Sequence, residues 1–182
     1  MLHFKLDPEK IVNAVAYFGA KCPGSTKMKV CKLLYFADKE HLLRYGRPIT
    51  GDTYVRMQYG PTPSVGLNLM RSMASSKLTA LFQQKVAVHG NEVRALSSPD
   101  LNVFSRSDVR IMDEILGRYG QFTAPQLSRI SHQEPTWRKT PENGLIDFEL
   151  FFEGRPDAEQ TLVLLKEDSS RQEKSRAATV DA

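Results

Sequence analysis

The chain has 182 residues, two cysteines and a formal charge of +4, with hydrophobic and charged fractions of 41% and 25%. This length suits one domain able to bury a real core, and the composition is that of an ordinary globular protein. It excludes collagenous, low-complexity and disulfide-scaffold classes, and no apolar run reaches the length of a membrane helix. The small basic excess comes from mixed Lys, Arg, Asp and Glu, too little by itself to argue for nucleic acid. The start, MLHFKLDPEK, lacks the basic region and apolar core of a secretory signal, so a cytoplasmic protein is expected.

Helix signals come first. Asp7 can cap, Pro8 fits the first helical position, Glu9 favours the positive end of the dipole, and Gly19 can close the helix. Ser25 or Thr26 opens a longer helix that Gly46 ends, with Pro48 preventing its continuation. From Val30 to Ala37 this helix is apolar on almost every side, which marks it as the central helix of the core. Its polar ends, Lys27 to Lys32 and Asp38 to Arg44, are expected to reach solvent.

Alternation from Asp52 to Tyr59 predicts a half-buried strand, stopped by a rigid turn at Gly60-Pro61. Ser64 is placed to cap a helix running through Met70 and Met73. A two-residue turn at Gly90-Asn91 pairs Val88 with Val93 and Val86 with Ala95, and the earlier strand is expected to join this hairpin in one antiparallel sheet.

Ser105 to Asp108 has capping-box spacing ahead of Ile111, Met112, Ile115, Leu116 and Tyr119 on one face, with Gly120 as the stop. Thr123-Ala-Pro-Gln126 opens a short helix leading into SHQEPTW. Phe148 to Phe152 fits strand or helix, and Asp157 to Gln160 caps a last helix. The polar stretch from Glu167 to Ala182 reads as a disordered tail, leaving one domain over 1–166. The whole is expected to be mainly α, a helical domain around a buried central helix with a small antiparallel sheet.

Chemical sites are sparse. Asp38 and His41 could share a metal with Cys31 or His3, but a surface ion pair is the simpler account. Cys31 lies in the most apolar helix, where a thiol behaves as a small hydrophobe. His132 and Glu134 flank a turn and would be an acid/base pair if brought together, though such a histidine more often caps a helix end. No phosphate loop, nucleophile elbow or HExxH is present, so neither an enzyme nor a cofactor or metal is expected. Residues 107–141 resemble part of a helix-turn-helix, the alternative being a DNA-binding regulator. The other cluster, Tyr54, Tyr59, Pro61, Pro63 and Trp137, combines rigid turns with aromatic rings, as protein interfaces do.

The stretch KLLYFADKEHLLRYGRPITGDTYVRMQYGPTPS, followed by SDVRIMDEILGRYGQFTAPQLSRISHQEPTW, resembles the Panacea domain, the SocA-like or GepA-like phage-associated family. Lys32, Leu33, Leu34, Tyr35, Phe36, Gly60, Pro61, Ser131, His132 and Trp137 carry the resemblance. It implies an antitoxin that neutralises a cognate protein toxin by direct binding, with no covalent chemistry. Some members deliver the toxin to an ATP-dependent protease, and the tail would then serve as a tether. Neither nucleic acid nor membrane is expected as a partner, and a homo-oligomer is left open. The expected contact residues are Asp38, His41, Arg44, Tyr59, Gly60, Pro61, Pro63, His132 and Trp137.

Overall fold

The computed structural model describes residues 1–167; of the tail expected from Glu167 to Ala182, Glu167 is helical and the rest lies outside the described residues. Asp7 caps α1 (Pro8–Lys21) as its spacing requires, its carboxylate accepting from the backbone N–H groups of Glu9 and Lys10 at 3.1 and 3.0 Å. The helix runs on past Gly19. That residue is a packing position rather than a stop, because a Cβ there would lie 3.3 Å from the Ala95 backbone nitrogen.

Thr26, not Ser25, caps α2 (Lys27–Tyr45), and Gly46 ends it in the left-handed region at φ 72°, where a side chain would be strained. From Val30 to Asp38 the helix is wholly buried, with His41 and Leu42 following. It packs against α1, the later helices and both hairpins, which makes it the centre of the core as the sequence implies. The expectation of wet polar ends holds only in part: Arg44 is exposed and Lys27, Lys29, Lys39 and Glu40 are half-buried, whereas three polar residues are inside, Lys32 at 1% exposure, Asp38 at 2% and His41 at 0%. Each finds its hydrogen bonds on elements remote in sequence, which is how a charged group tolerates burial.

The segment after α2 also departs from expectation. The chain does not stop at Gly60 but turns at Gln58-Tyr59 and returns as β2 (Gly60–Pro63), antiparallel to β1 (Tyr54–Met57). The prolines are tolerated because of their register. The Ser64 N–H reaches the Thr53 carbonyl at 2.8 Å, so Gly60 and Thr62, of the same parity, face β1, while Pro61 and Pro63 point their missing donors away. On its other side β1 is edged by residues 143–146, through Arg56 N–H to Gly144 O at 2.9 Å and Ile146 N–H to Tyr54 O at 2.8 Å. This sheet is separate from the second hairpin, β3 (Val86–His89) with β4 (Glu92–Ala95), so the single joint sheet expected from sequence does not form. The register of β3 and β4 is the one anticipated, Val88 opposite Val93 and Val86 opposite Ala95.

Ser64 is the first residue of α3 (Ser64–Met70) rather than its cap, and the helix stops short of Met73. The capping acceptor comes from upstream, where the Asp52 carboxylate takes the N–H groups of Val65 and Gly66 at 3.1 and 2.8 Å. An unforeseen helix, α4 (Ser76–Lys85), follows without a side-chain cap.

The expected capping box is present at Ser105 for α5 (Arg106–Tyr119), and Thr123, expected to open α6 (Ala124–Ser131), does so through a second capping box with Gln126. A five-residue α7 (Pro135–Lys139) follows. Phe148–Phe152 is a 3-10 turn that buries Phe148, Phe151 and Phe152. A last helix, α8, covers residues 158–167. The architecture is mainly α with small antiparallel hairpins. Among the described residues no helix is long and apolar enough to cross a membrane.

Candidate functional site

The tip of the first hairpin is held from several directions. Trp137 of α7 donates its indole N–H to the Met57 carbonyl at 3.0 Å. The Ser128 hydroxyl of α6 donates to the Tyr59 carbonyl at 2.9 Å. From below, the Lys32 ammonium of α2 donates to the Pro61 carbonyl at 2.6 Å. The His132 ring is held against the Gln58 backbone. Gly60, at φ 100°, fits where nothing larger would, since a Cβ there would lie 2.3 Å from Ser131 Oγ and 2.9 Å from Lys32 Cε. Alternate carbonyls of the turn, those of Met57, Tyr59 and Pro61, are therefore fixed by side chains of helices far along the chain. What the clamped turn offers to solvent is Gln58 and, as its one large ring, Tyr59, 57% exposed.

The electrostatics of this place are one-sided. Trp137 carries the Arg56 guanidinium at 4.3 Å from its ring and stacks with His132 at 3.9 Å and 19°. Lys32, Arg56 and His132 make no ion pair among the described residues. Burial pushes the Lys32 ammonium down to about 8, and no carboxylate offsets it. Burial and then the charge of Lys32 hold His132 below its ordinary value; the Gln58 backbone opposes them, and Arg56 adds a smaller push downwards. His132 Nε2 and Arg56 Nε are buried with no hydrogen-bond partner among the described residues.

The other buried charges are answered internally. The Asp38 carboxylate accepts from the N–H groups of Ile49 and Thr50 at 2.8 and 2.9 Å and from the hydroxyls of Thr50 and Tyr54 at 2.5 and 2.8 Å. Asp108 meets Lys10 at 2.8 Å, and His41 Nε2 and Arg47 at 2.9 Å. Burial opposes its ionisation, but the hydrogen bonds from His41 and Lys10 outweigh that and hold the carboxyl well below the usual range. His41 thus pairs with Asp108 inside the protein, which corrects the reading of Asp38 and His41 as a surface ion pair. No group of residues fit to hold a metal is found among the described residues.

The family model for the SocA-like antitoxin, Panacea domain, matches residues 30–138, more than half of the chain. The chain belongs to this family. No curated protein and no solved structure matches it. The Panacea match begins inside α2 and ends in α7, so it spans the elements that meet at the hairpin tip. Lys32, Gly60, Pro61, Ser131, His132 and Trp137, scattered over two motif blocks, are brought together there.

Of the contact residues expected from sequence, Tyr59 is exposed and His132 and Trp137 are half-buried at the tip. Gly60, Pro61 and Pro63 are buried and shape the turn rather than face solvent. Asp38 and His41 offer no surface. Arg44 is exposed but lies elsewhere, engaged with Glu40 at 2.6 Å and Glu114 at 2.7 Å. Glu134 pairs with Lys39 while His132 stacks on Trp137, so the two do not form an acid/base pair. Cys31 is buried, and burial pushes its thiol up to about 12, as suits a small hydrophobe.

Sequence reading missed Arg56, Ser128 and the role of Lys32. The one available signal was the parity of β1, which puts Arg56 on the face of buried Tyr54. Nothing local announces that Trp137 waits beneath it.

Proposed function

We propose that this chain is the antitoxin of a toxin–antitoxin pair and neutralises its toxin by covering the toxin's working surface with the clamped hairpin tip. The observation that carries the reading is the fixation of the turn by Trp137, Ser128 and Lys32 beneath an exposed Tyr59. A pre-ordered aromatic loses little conformational entropy on binding, and a central aromatic anchor is the usual centre of a protein interface. The reading takes both proteins to be cytoplasmic and needs no covalent step. It narrows the contact surface to Tyr59, His132 and Trp137 with the tip they frame.

The test is rescue by co-expression. The reading predicts a short toxic reading frame adjacent to this gene, to be expressed alone, with the wild-type chain, and with Tyr59→Ala. Toxicity relieved by the wild type through a stable complex, and relieved poorly by Tyr59→Ala, is the expected result. Toxicity that persists with the wild type overturns the proposal.

The competing DNA-binding reading of residues 107–141 finds little support in α7. That helix is five residues long, its Thr136 is buried against Tyr35, and its tryptophan is occupied with the hairpin.

A further inference from the structure

We propose that Arg56, with His132 beside it on Trp137, is a recognition site for a carboxylate presented by an acidic segment of the protein partner. The inference rests on the antitoxin reading and deepens it by naming the chemistry of the toxin-side surface.

Three features of the molecule support it. First, the positive groups at the tip have no answering charge. Lys32 and Arg56 make no ion pair among the described residues, whereas Asp108, also buried, is met by Lys10, His41 and Arg47. Second, a donor is in place and unused. Arg56 Nε has no hydrogen-bond partner among the described residues, an arrangement that costs free energy unless something completes it, and His132 Nε2 beside the same tryptophan is also unpaired. Third, the donors are pre-oriented. The guanidinium lies 4.3 Å from the Trp137 ring, and that ring is pinned by its own bond to Met57 O. A planar guanidinium held this way can present its donor fork to a carboxylate with little further loss of freedom. Lys32, bonded to Pro61 O, contributes the field of a fixed charge below the site rather than a contact.

Phosphate would satisfy the same donors, so the choice of macromolecule rests on the surroundings. The cluster is a single spot at a hairpin tip with Tyr59 next to it, not a cationic track along a groove. The whole chain carries only +4. A nucleic acid needs several phosphate contacts in register, whereas one acidic side chain docking beside an aromatic anchor needs only this spot.

The chain contains one tryptophan, so Trp137 fluorescence reports the site directly. The full chain is titrated with a hexaglutamate peptide, with hexaglutamine, and with single-stranded DNA. The expected result is that hexaglutamate changes the emission and hexaglutamine does not. Arg56→Gln should weaken that binding by about tenfold or more, the scale of a charge-assisted hydrogen bond, and Arg56→Lys by less. Proton NMR of the wild type gives a readout that needs no variant: the His132 ring should titrate at higher pH with hexaglutamate bound.

Equal responses to both peptides, affinity unchanged in a folded Arg56→Gln, or an unmoved His132 titration would overturn the proposal. Tighter binding of DNA than of hexaglutamate would overturn it in favour of a nucleic-acid phosphate. Co-expression separates the two levels. Toxicity relieved equally by the wild type and Arg56→Gln removes this inference and leaves the antitoxin reading standing. Failure of the wild type to rescue removes that reading itself.

Discussion

Replacing Gly60 by alanine tests the clamped turn at its tightest point. At φ 100° an L-residue carries strain of about 1–2 kcal/mol. The new Cβ would also stand 2.3 Å from Ser131 Oγ and 2.9 Å from Lys32 Cε. Ser131 is fully buried and donates to Ser128 O at 2.9 Å, so moving its hydroxyl sacrifices a bond worth about 1 kcal/mol. Moving Lys32 off Pro61 O weakens a charged bond, about another 1.5 kcal/mol. The sum is about 4 kcal/mol, or a fall in melting temperature of roughly 10 °C for a chain of this size. Urea unfolding followed by Trp137 emission measures it. Repeating the substitution in a Ser131→Ala background should recover about 1 kcal/mol, because one obstacle is gone. A loss below about 1 kcal/mol would mean that the turn does not hold Gly60 in the left-handed region. Equal losses in both backgrounds would remove the steric part of the reasoning.

Three further outcomes follow from the buried charges and the exposed tip. Asp108→Ala should cost about 3–5 kcal/mol in chemical denaturation, since it strands the Lys10 ammonium without its counter-charge and removes a partner of the buried His41 ring. The folded Asp108 carboxyl sits below its unfolded value, so its stabilisation is present above about pH 4 and is lost as the pH falls below that; the variant should show a flatter acid limb. Lys32 behaves oppositely. Its folded value is depressed to about 8, so the unfolded chain binds more protons between there and the ordinary 10.5, and stability from this group rises with pH across that window by about 3 kcal/mol. The difference between the wild type and Lys32→Met isolates that rise from the Cys31 thiol, and at neutral pH the variant should lie within about 1 kcal/mol of the wild type. Tyr59→Ala should leave the urea midpoint within about 0.5 kcal/mol of the wild type while impairing rescue, because the ring touches solvent more than core.

Local signals were legible in the sequence, and signals depending on distant partners were not. The caps at Asp7, Thr26, Ser105 and Thr123 and the stop at Gly46 follow from hydrogen bonds closed within a few residues, and they stand where spacing puts them. The β3–β4 register is similarly local. By contrast, α4 was invisible because no side chain caps it and only Leu78, Leu81 and Phe82 mark its inner face. Gly60-Pro61 read as a stop because proline usually ends a strand, yet the parity that Pro61 shares with Pro63 turns both away from β1. The tip was half legible. Tyr59 and Trp137 stood out as rigid aromatics, but the position of Arg56 on Trp137 depends on packing between segments far apart in the chain.

The charges of α2 make sense as a fixture for the hairpin rather than as isolated anomalies. Lys32 grips β2 through Pro61 O near the tip, and Asp38 grips β1 through the Tyr54 hydroxyl near the base. The two residues are about 9 Å apart along the helix axis, at 1.5 Å per residue. A slip of the β1–β2 register by one residue would therefore break both attachments together, and it would also turn Tyr54 out of the core. A hydrophobic helix surface alone would tolerate sliding, because apolar contact is non-directional. Buried hydrogen-bonded charges at two separated points do not. Their desolvation lowers stability, as the depressed Lys32 and raised Asp38 values indicate, and in return the position of Tyr59 is set by the helix beneath it. In the proposed role, where the partner is met with a small pre-formed surface, a fixed tip is worth more than the stability an all-apolar α2 would add.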